Sequence, residues 1–460
     1  MALSPARTLA CDVITRVRQR DAYAHETLSA ALSHHHLSAP DAAFATRLAY
    51  GTIACRGTLD EIVTAQLSRP KSTDPVVIDA LALSAWELYF SDTVSYAIVD
   101  QGVELIHTLK GPRYRSLANA LLRRLAGARA AFPFADPRTD PAAHARQHGH
   151  PVWLARYLRA RFGFDTADCL MAVNNEPAPL YLAHLPFSTD FDEVMARLED
   201  QRARPVLGPV PGCIEIGVPS AVVASPLLSS RDVVVIDAAA QQCVALARAQ
   251  AGQSLVEIGS GRGTKTLLLA ANARRGGGPA KVRGIDLHEF KTNVLSADAK
   301  RLGAWEVDAL SADVTQRDFI DWAAAHNLTE ADTVFIDAPC SGLGTLRRHP
   351  DKRWRLQQAD IGRAAQLGSA LLQTAARLLH SDGMLIYATC TISAEENEDQ
   401  IADFLSSELG SQFESQPVVN SELPPTFADA LTKRGQFQTL PTHHGPDGHF
   451  CARLKKKRAG

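Results

Sequence analysis

The sequence lacks an excess of either charge, because 48 Lys and Arg residues stand against 50 Asp and Glu residues and leave a formal net charge of −2. The global charge therefore does not indicate nucleic-acid binding, and any contact with a polyanion must depend on local basic patches. No apolar run approaches the roughly 20 residues of a membrane-spanning helix. The first 20 residues also lack the apolar core and the small-residue cleavage site of a signal peptide. These absences favour a cytoplasmic protein with no membrane partner.

The eight cysteines include no Cys-x-x-Cys pair, which argues against a zinc knuckle and against a disulfide framework. We therefore expect no metal site. Three consecutive histidines at 34–36 have no further ligand at fixed spacing, and we interpret them as a helix end or a loop. In a reducing compartment an isolated cysteine is usually a buried small hydrophobe. Five cysteines are interpreted in this way: Cys11, Cys55, Cys169, Cys213 and Cys243.

At 460 residues, with 46% hydrophobic and 21% charged residues, the chain is predicted to fold into several globular domains. Apolar residues recur at helical spacing through the first part of the chain, as at Leu9, Val13 and Val17. This pattern predicts an all-α domain over residues 1–130. Residues 131–150 are rich in Ala, Pro, Arg and Asp, and we interpret them as a linker because their prolines prevent a long helix.

A small α+β segment is predicted over residues 151–240. It begins with an amphipathic helix after Pro151. Three apolar runs of strand length follow, at 180–185, 213–218 and 233–236, with a helix around 191–198 between the first two.

From residue 241 to residue 455 predicted strands and helices alternate. The strands are placed at 254–258, 281–286, 306–311, 333–337 and 383–387, and the helices at 264–272, 291–302 and 362–379. Such alternation implies a parallel sheet covered by helices on both sides, which is a Rossmann-like domain.

A glycine-rich turn joins the first strand of this domain to its first helix. It comprises Gly259, Ser260, Gly261, Arg262, Gly263, Thr264 and Lys265. Glycines let the backbone turn sharply and approach a ligand, and a helix N-terminus offers N–H groups to a carboxylate or a phosphate. The spacing is not that of a Walker loop. We expect a nucleotide-like cofactor here, and the spacing alone leaves a nicotinamide dinucleotide open.

Acidic residues collect where the strands of this domain end. Asp286 ends the second strand, from which a carboxylate can hold both hydroxyls of a ribose. Asp313 follows the third strand, where a solvated strand end is an equally good interpretation, and Asp337 ends the fourth. Lys265 either caps its helix or contacts the cofactor carboxylate or the substrate, and we prefer the contact.

Two cysteines, Cys340 and Cys390, lie just beyond the ends of neighbouring predicted strands, so we expect them to face one crevice. Methylation of carbon 5 of a cytosine needs such a pair. A thiolate that adds to carbon 6 makes carbon 5 nucleophilic, and a second thiol assists the release of the product. Asp337 is placed to hydrogen-bond the ring nitrogen, and the base must be single-stranded or flipped out of its stack.

These motifs resemble the RsmB (Sun) family of ribosomal RNA cytosine-5 methyltransferases. Residues 337–342 and 347–354 are similar to the family's fourth motif, and residues 387–391 and 395–398 are similar to its sixth. The amino-terminal helices resemble the NusB-like RNA-binding domain, and the likeness covers almost the entire chain.

The resemblance implies S-adenosylmethionine as the cofactor, Cys390 as the nucleophile and Cys340 as the group that releases the product. It implies RNA as the partner, with small-subunit (16S) ribosomal RNA first and transfer RNA or another ribosomal position as alternatives. We expect a monomer. A member of another class, an RNA-binding assembly factor that does not turn over, is the remaining alternative.

The glycine-rich turn departs from the family pattern, in which a Cys-Ala-Ala-Pro-Gly-Gly-Lys-Thr loop follows an acid. Gly263, Lys265 and Thr266 match that loop, and Glu257 takes the place of the acid. The departure favours the assembly factor, whereas Cys340 and Cys390 oppose it. We expect cofactor binding to persist with altered contacts.

Two basic segments remain. Residues 347–349 follow closely after Cys340 and are interpreted as a phosphate contact, whereas the tail 455–458 is interpreted as a disordered solubilising end.

Overall fold

The computed structural model describes residues 3–20, 22–223 and 225–458. The predicted helical domain includes residues 1, 2 and 21, which lie outside the described residues. The chain forms two compact units, of which the first is Met1–Pro177 with Leu346–Gln358 and the second is Ala178–Thr345 with Ala359–Gly460. Among the residues that the structure describes, no helix combines the length and the apolar content needed to cross a membrane.

The first unit is entirely helical, as predicted. Its helices are α1 (Pro5–Arg20), α2 (Ala24–His34), α3 (Ala39–Ala54), α4 (Arg56–Thr64), α5 (Pro75–Phe90), α6 (Ser95–Lys110), α7 (Arg115–Gly127), α8 (Pro141–His148), α9 (Val152–Phe162) and α10 (Phe164–Val173). Helix α5 is central, because eleven of its sixteen residues are buried. Its two buried acids are paired, Glu87 with Arg7 at 2.6 Å and Asp79 with Arg18 at 2.8 Å, as buried charges require.

The predicted linker at 131–150 contains a helix, α8, and the structure differs from the prediction here. Pro141 starts this helix instead of preventing one, because a proline at the first helical position loses no hydrogen bond. The Asp140 side chain caps the helix by accepting the Ala142 N–H at 2.7 Å, and Gly149 ends it at a φ of +64°. The first unit therefore extends to Pro177 and includes part of the predicted middle segment.

The segment Leu346–Gln358 also belongs to the first unit and contains the short helix α17 (Lys352–Arg355). Arg353 anchors it and is completely buried. One guanidinium nitrogen donates to the carbonyl oxygens of Ala54 and Gly149, both at 3.1 Å, and the other donates to that of Asn174 at 2.8 Å. The chain thus leaves the second unit shortly after Cys340 and returns to it at Ala359.

The second unit begins with a small antiparallel sheet. Its strands are β1 (Leu180–His184), β2 (Pro205–Leu207), β3 (Cys213–Ile216) and β4 (Val233–Val235), in the order β2-β3-β1-β4, with helices α11 (Phe191–Asp200) and α12 (Pro226–Ser230). Three of these strands and α11 are predicted by the sequence. The edge strand β2 is not, because Val206 and Leu207 are both largely exposed and give no pattern of burial.

The larger sheet follows helix α13 (Ala238–Ala245). Its strands are β5 (Ser254–Ile258), β6 (Lys281–Asp286), β7 (Val307–Ser311), β8 (Ala331–Asp337), β9 (Leu379–Thr389), β10 (Phe413–Ser415), β11 (Phe437–Gln438) and β12 (Phe450–Lys456). Its helices are α14 (Thr264–Arg275), α15 (Glu289–Leu302), α16 (Phe319–Ala325), α18 (Gln358–Leu378) and α19 (Glu398–Ser406). Strands β7-β6-β5-β8-β9 are parallel, as a Rossmann-like domain requires.

The carboxyl-terminal strands make this sheet mixed, which the sequence analysis did not predict. Strand β12 lies between β9 and β10 and is antiparallel to both. The tail predicted to be disordered is therefore largely ordered. Lys455 pairs with Met384 across the sheet, and Lys456 donates from Nζ to the carbonyl oxygen of Leu379 at 2.6 Å.

Candidate active site

The structure brings the two predicted thiols together. Asp337 at the end of β8 is paired with Ala388 in the neighbouring parallel strand β9. Each of these strands is followed by a loop that carries a cysteine. The Sγ atoms of Cys340 and Cys390 are 3.3 Å apart, and the backbone N–H of Cys390 donates to the Cys340 sulfur at 3.4 Å. Both cysteines are partly exposed. The pair can therefore exchange a proton and still be reached by a substrate.

The environment of the two thiols is asymmetric. The pKa of Cys340 lies well above its ordinary value, first because of its hydrogen bond with Cys390 and then because of burial and the charges of Cys390 and Glu396. Lys265, by contrast, interacts favourably with Cys390. Burial lowers the pKa of Lys265, but the negative charges of Asp337 and Cys390 outweigh it and raise that pKa. The charges that act on the two thiols thus differ, because Lys265 interacts with Cys390 and Glu396 interacts with Cys340.

Lys265 and Asp337 form an ion pair beside the thiols. The Nζ atom of Lys265 is 2.5 Å from Oδ2 of Asp337, and the lysine side chain is 17% exposed. From the sequence, either a helix cap or a contact with the cofactor or the substrate is expected for this lysine. The structure places its ammonium on the acid that we expect to contact the substrate.

The glycine-rich turn is held by backbone hydrogen bonds to β6 and within itself. The N–H groups of Gly259 and Ser260 both donate to the carbonyl oxygen of Ile285, at 2.9 and 3.0 Å. Gly263 donates to the carbonyl oxygen of Ser260 at 2.9 Å and directly precedes α14, which begins at Thr264. The side chain of Ser260 is buried and that of Arg262 is exposed. The groups of the turn that can contact a ligand are therefore mainly those of its backbone.

Asp286 connects this turn to the next strand. Its Oδ2 accepts the N–H of Gly261 at 3.0 Å, and its Oδ1 accepts the N–H of His288 at 2.9 Å. Lys291 lies 3.4 Å from Oδ1. Because each carboxylate oxygen has two lone pairs, Asp286 keeps capacity for the two hydroxyls of a ribose.

Asp313 is engaged in its own turn. Its Oδ1 accepts the hydroxyl of Thr315 at 2.6 Å, and its Oδ2 accepts the amide of Gln316 at 2.8 Å. These bonds, that of Thr315 first, hold the pKa of Asp313 below its ordinary value. Asp313 also lines a cavity of about 210 Å³ beside the turn. A solvated strand end and a cofactor contact therefore both stay possible interpretations of this residue.

A cavity of about 210 Å³ lies beside these groups. Its lining includes Gly259 from the turn, the acids Asp286 and Asp313, and the apolar residues Val314, Pro339 and Leu371. An apolar wall suits a purine ring, and a carboxylate at the strand end suits a ribose. The residues present therefore fit the adenosine part of S-adenosylmethionine, and Pro339 links the cavity to the loop of Cys340.

Sequence analysis gave no role to the side chains that connect the two cysteine loops. Glu396 is buried and accepts hydrogen bonds from Ser341 and Ser393. Asn397 accepts the Thr389 hydroxyl at 2.7 Å and donates to the carbonyl oxygen of Thr391 at 3.0 Å. The only signal in the sequence is their presence in the segment similar to the sixth motif, because contacts between residues so far apart leave no periodic pattern.

The carboxyl-terminal segment also packs on the Cys340 loop. Gly448 donates its N–H to the carbonyl oxygen of Gly344 at 2.9 Å. A Cβ atom at Gly344 would lie 2.0 Å from the carbonyl oxygen of Gly448, so neither side chain nor insertion fits between the two backbones. This close approach supports the loop that carries Cys340.

The remaining cysteines mostly match their interpretation as core residues. Cys11, Cys55, Cys213 and Cys243 are buried, and so is Cys451, but Cys169 is exposed. That interpretation is wrong for Cys169 because the buried face of α10 carries its neighbours Ala167, Leu170 and Met171.

One group among the described residues has metal-ligand geometry. His144 and His148 lie one turn apart on α8 and face Asp168 on α10. Both Nε2 atoms hydrogen-bond the same carboxylate oxygen, at 3.1 and 2.7 Å. Donor atoms held at about 2.0–2.1 Å by a tetrahedral zinc ion would lie roughly 3.3 Å from one another. Both His–Asp distances are shorter than this, so the side chains are hydrogen-bonded to one another directly. The expectation of no metal stays a prediction.

The basic segment 347–349 belongs to the first unit. Arg347 is buried, Arg348 is half-buried and His349 is exposed. A phosphate contact stays a prediction for Arg348 and His349, whereas burial makes Arg347 a poor candidate for it.

Comparisons with known proteins agree with this architecture. Residues 244–455 match the family described as 16S rRNA methyltransferase RsmB/F, and residues 4–127 match the NusB family. The chain is 30% identical over 457 residues to a probable ribosomal RNA small subunit methyltransferase B of Synechocystis sp., a match that covers 98% of this chain and 99% of that protein. It is 28% identical to the ribosomal RNA small subunit methyltransferase B of Klebsiella pneumoniae, with 98% of each chain covered.

The solved structure of the protein PH0851 shares the fold. The superposition has a TM-score of 0.79 at 23% sequence identity and covers 99% of this chain and 100% of that chain.

Proposed function

Because the chain belongs to the 16S rRNA methyltransferase RsmB/F family, we propose that it methylates carbon 5 of a cytosine in RNA through a covalent adduct on Cys390. Small-subunit (16S) ribosomal RNA is the proposed substrate, because the relatives reported above bear that name. The chain is a methyltransferase by family, with S-adenosylmethionine as the cofactor. The base, the carbon atom and the covalent route are the proposed part.

The observation that carries this proposal is the separation of 3.3 Å between the sulfur atoms of Cys340 and Cys390. Two thiols at the ends of adjacent strands, beside an acid, supply the nucleophile and the base that carbon-5 methylation of a cytosine uses. Addition of the Cys390 thiolate to carbon 6 makes carbon 5 nucleophilic enough to take a methyl group. The positive charge of Lys265 favours the thiolate of Cys390, and the carboxylate of Asp337 accepts a hydrogen bond from the ring nitrogen once that nitrogen carries a proton.

Release of the product uses the second thiol. The proton on carbon 5 moves to the sulfur of Cys340, which has lost its own proton to solvent. The electron pair of that C–H bond restores the double bond between carbons 5 and 6, and the bond from carbon 6 to the Cys390 sulfur breaks.

The asymmetry of the thiols supports these roles. In the free enzyme the hydrogen bond and the charge of Cys390 both raise the pKa of Cys340. Once Cys390 is bonded to carbon 6 it has neither the thiolate charge nor the thiol proton. Both causes then disappear, so Cys340 ionises more readily in the adduct, where a base is needed.

The cofactor supplies an electrophilic methyl group when it is bound. The backbone of the turn Gly259–Gly263 and the carboxylate of Asp286 are the groups that would hold it, with Val314 and Leu371 against the purine ring. Glu257, buried behind the turn, is bonded to Thr266 and supports the start of α14. Arg262, Thr264 and Asp313 stay proposed as cofactor contacts.

The substrate base must leave its stack to reach the thiols. We propose that the NusB-like domain and the small sheet β1–β4 bind the surrounding RNA, and that the protein acts as a cytoplasmic monomer without a metal. The same chemistry on transfer RNA or on another ribosomal position is the nearest alternative. An assembly factor without turnover is a weaker alternative, since it has no use for two thiols at hydrogen-bond distance.

Bisulfite sequencing of total RNA tests this function. Cells that lack the gene are compared with cells that carry it as wild type or as Cys390→Ala. The proposal predicts one protected cytosine in small-subunit ribosomal RNA that is lost without the gene and not restored by Cys390→Ala. Loss in transfer RNA would replace the substrate, and unchanged RNA in every strain would support the assembly factor.

A further inference from the structure

A buried carboxylate joins the two loops that carry the thiols. Glu396 lies between β9 and α19 and is 1% exposed. Its Oε1 accepts the backbone N–H of Ser341 at 2.6 Å. Its Oε2 accepts the hydroxyls of Ser341 at 2.6 Å and of Ser393 at 2.5 Å. These three short bonds converge on one side chain, the Thr391 hydroxyl is a fourth donor at 3.4 Å, and hydrogen bonds to an ionised acceptor are stronger than neutral ones.

These donors belong to both loops. Ser341 directly follows Cys340, and Thr391 directly follows Cys390. The hydroxyl oxygens of Ser341 and Thr391 are 2.7 Å apart. The Thr391 hydroxyl also lies 3.4 Å from Oε2 of Glu396, so it contacts both the Ser341 hydroxyl and the carboxylate. A chain of hydrogen bonds thus runs from the residue after one cysteine, through the residue after the other, to the carboxylate.

Backbone hydrogen bonds also connect the two loops. The strand pairing of β8 with β9 ends at Asp337 and Ala388, before either cysteine. Beyond it, the N–H of Ala338 donates to the carbonyl oxygen of Ala388 at 2.9 Å and that of Gly344 donates to the carbonyl oxygen of Cys390 at 3.1 Å. These backbone bonds keep the loops connected when the carboxylate is removed, so the side chains around Glu396 adjust the approach of the two sulfur atoms within a frame that persists.

We propose that Glu396 is a positioning residue that sets the separation of the two sulfur atoms, and that release of the product depends on it more than formation of the adduct does. Addition to carbon 6 needs the sulfur of Cys390 alone. Release needs both sulfurs, because the proton of carbon 5 moves to Cys340 while the bond from carbon 6 to Cys390 breaks. The inference rests on the proposed function.

Single-turnover assays with the full chain, labelled S-adenosylmethionine and small-subunit ribosomal RNA transcribed in vitro test this role. Methyl incorporation and the fraction of protein–RNA adduct on a denaturing gel are followed over time. We expect Glu396→Ala to form adduct at nearly the wild-type rate and to resolve it roughly 10- to 100-fold more slowly, as a misplacement of the order of 1 Å would cause. The exposed Asp399→Asn, three residues further along the chain, is the control for loss of a carboxylate.

Glu396→Gln separates position from charge. Its amide oxygen still accepts the Ser341 N–H, and its NH2 group can donate to the hydroxyls of Ser341 and Ser393, which then turn round. The loops keep their spacing, so we expect adduct to resolve within a few-fold of the wild-type rate. A Glu396→Gln variant as slow as Glu396→Ala would overturn the positional role in favour of the negative charge.

Two further measurements keep the outcome decisive. Thermal unfolding establishes that Glu396→Ala is folded, and if it is not, Ser341→Ala removes one link of the chain and is expected to slow release by a smaller factor. Cys340→Ala is run beside these variants. Adduct with Cys340→Ala and rapid release with Glu396→Ala would contradict only the role of Glu396, whereas no adduct with Cys340→Ala would contradict the proposed function itself.

Discussion

The ammonium nitrogen of Lys265 lies 2.5 Å from Oδ2 of Asp337, and this ion pair connects the cofactor turn to the cysteine loops. Lys265 is in the first turn of α14, where the positive end of the helix dipole disfavours a cation. Asp337 offsets this cost, and the negative charge of Cys390 also helps to offset it. The pKa of Lys265 is therefore raised in spite of burial. The pair therefore places one cation between the acid and the nucleophile.

Substitutions of Asp337 and of Asp286 are predicted to impair catalysis in different ways. Asp337→Asn removes the acid beside the substrate and is expected to lower kcat by about 10²–10⁴-fold with a much smaller change in cofactor affinity. Asp286→Asn replaces one of the two oxygens that accept the N–H groups of Gly261 and His288 by an NH2 group, and is expected to raise the KM for S-adenosylmethionine while kcat at saturation is largely kept. Steady-state kinetics with isothermal titration of S-adenosylhomocysteine measures both. Equal effects of the two variants on kcat and on the KM for S-adenosylmethionine would contradict separate roles for the two acids.

Two glycines of the turn are predicted to differ in their tolerance of alanine. Gly259 has a φ of +83°, and a Cβ atom there would lie 2.5 Å from the carbonyl oxygen of Asp337. Gly261 has a φ of +57°, with nothing within 4 Å of its Cβ position. Gly259→Ala should lower the melting temperature clearly, whereas Gly261→Ala should cost only the roughly 1–2 kcal/mol of the left-handed conformation.

The same melts repeated with S-adenosylhomocysteine complete the test. Gly261 belongs to the turn that is proposed to hold the cofactor, so its alanine variant should lose part of the stabilisation by ligand. Equal melting temperatures of the two variants without ligand would refute the packing argument.

Glu257 is predicted to make stability depend on pH. Burial raises its pKa from 4.5 to about 8, although the hydrogen bond from Thr266 opposes this. Between these two values the folded chain keeps a proton that the unfolded chain releases, so the free energy of unfolding falls as pH rises through that window and levels off above it. Thermal unfolding from pH 5 to 8 should show a smaller decrease for Glu257→Gln than for wild type. The exposed Glu289→Gln should follow the wild type, and identical slopes for all three would exclude the effect.

Arg353 is predicted to stabilise the first unit. Burial lowers its pKa to about 10, and its guanidinium satisfies three backbone carbonyls and Oδ1 of Asn175. Arg353→Met leaves these buried acceptors without donors and should destabilise the unit by on the order of 3 kcal/mol. Arg355→Met is the matched control, because Arg355 is exposed. Denaturant unfolding followed by circular dichroism measures both variants, and equal midpoints would argue against the anchor.

The repeating elements of the fold could be predicted because burial leaves a period in the sequence. Strands β5 and β6 have the predicted bounds, and the family and both of its domain types are confirmed. The errors lie where local composition and tertiary pairing disagree. Lys455 and Lys456 look like a solvated tail, yet β12 is held by its buried neighbours Ala452 and Leu454 between two other strands.

The candidate site could be predicted only in part for a related reason. Topology brings Cys340 and Cys390 to one edge of the sheet, and strand order alone is enough to foresee it. The ion pair of Lys265 with Asp337 and the contacts of Glu396 depend on rotamers and loop geometry, which no spacing in the sequence encodes. The roles of all these residues stay predictions until variants are measured.

The most direct test of the account is a denaturing gel of the two cysteine variants after incubation with S-adenosylmethionine and small-subunit ribosomal RNA. Cys340→Ala should run as a covalent protein–RNA adduct that carries the labelled methyl group, because Cys390 adds and cannot be released. Cys390→Ala should show neither adduct nor methylation. An adduct from Cys390→Ala and none from Cys340→Ala would reverse the two roles, and no adduct from either variant would contradict the covalent route.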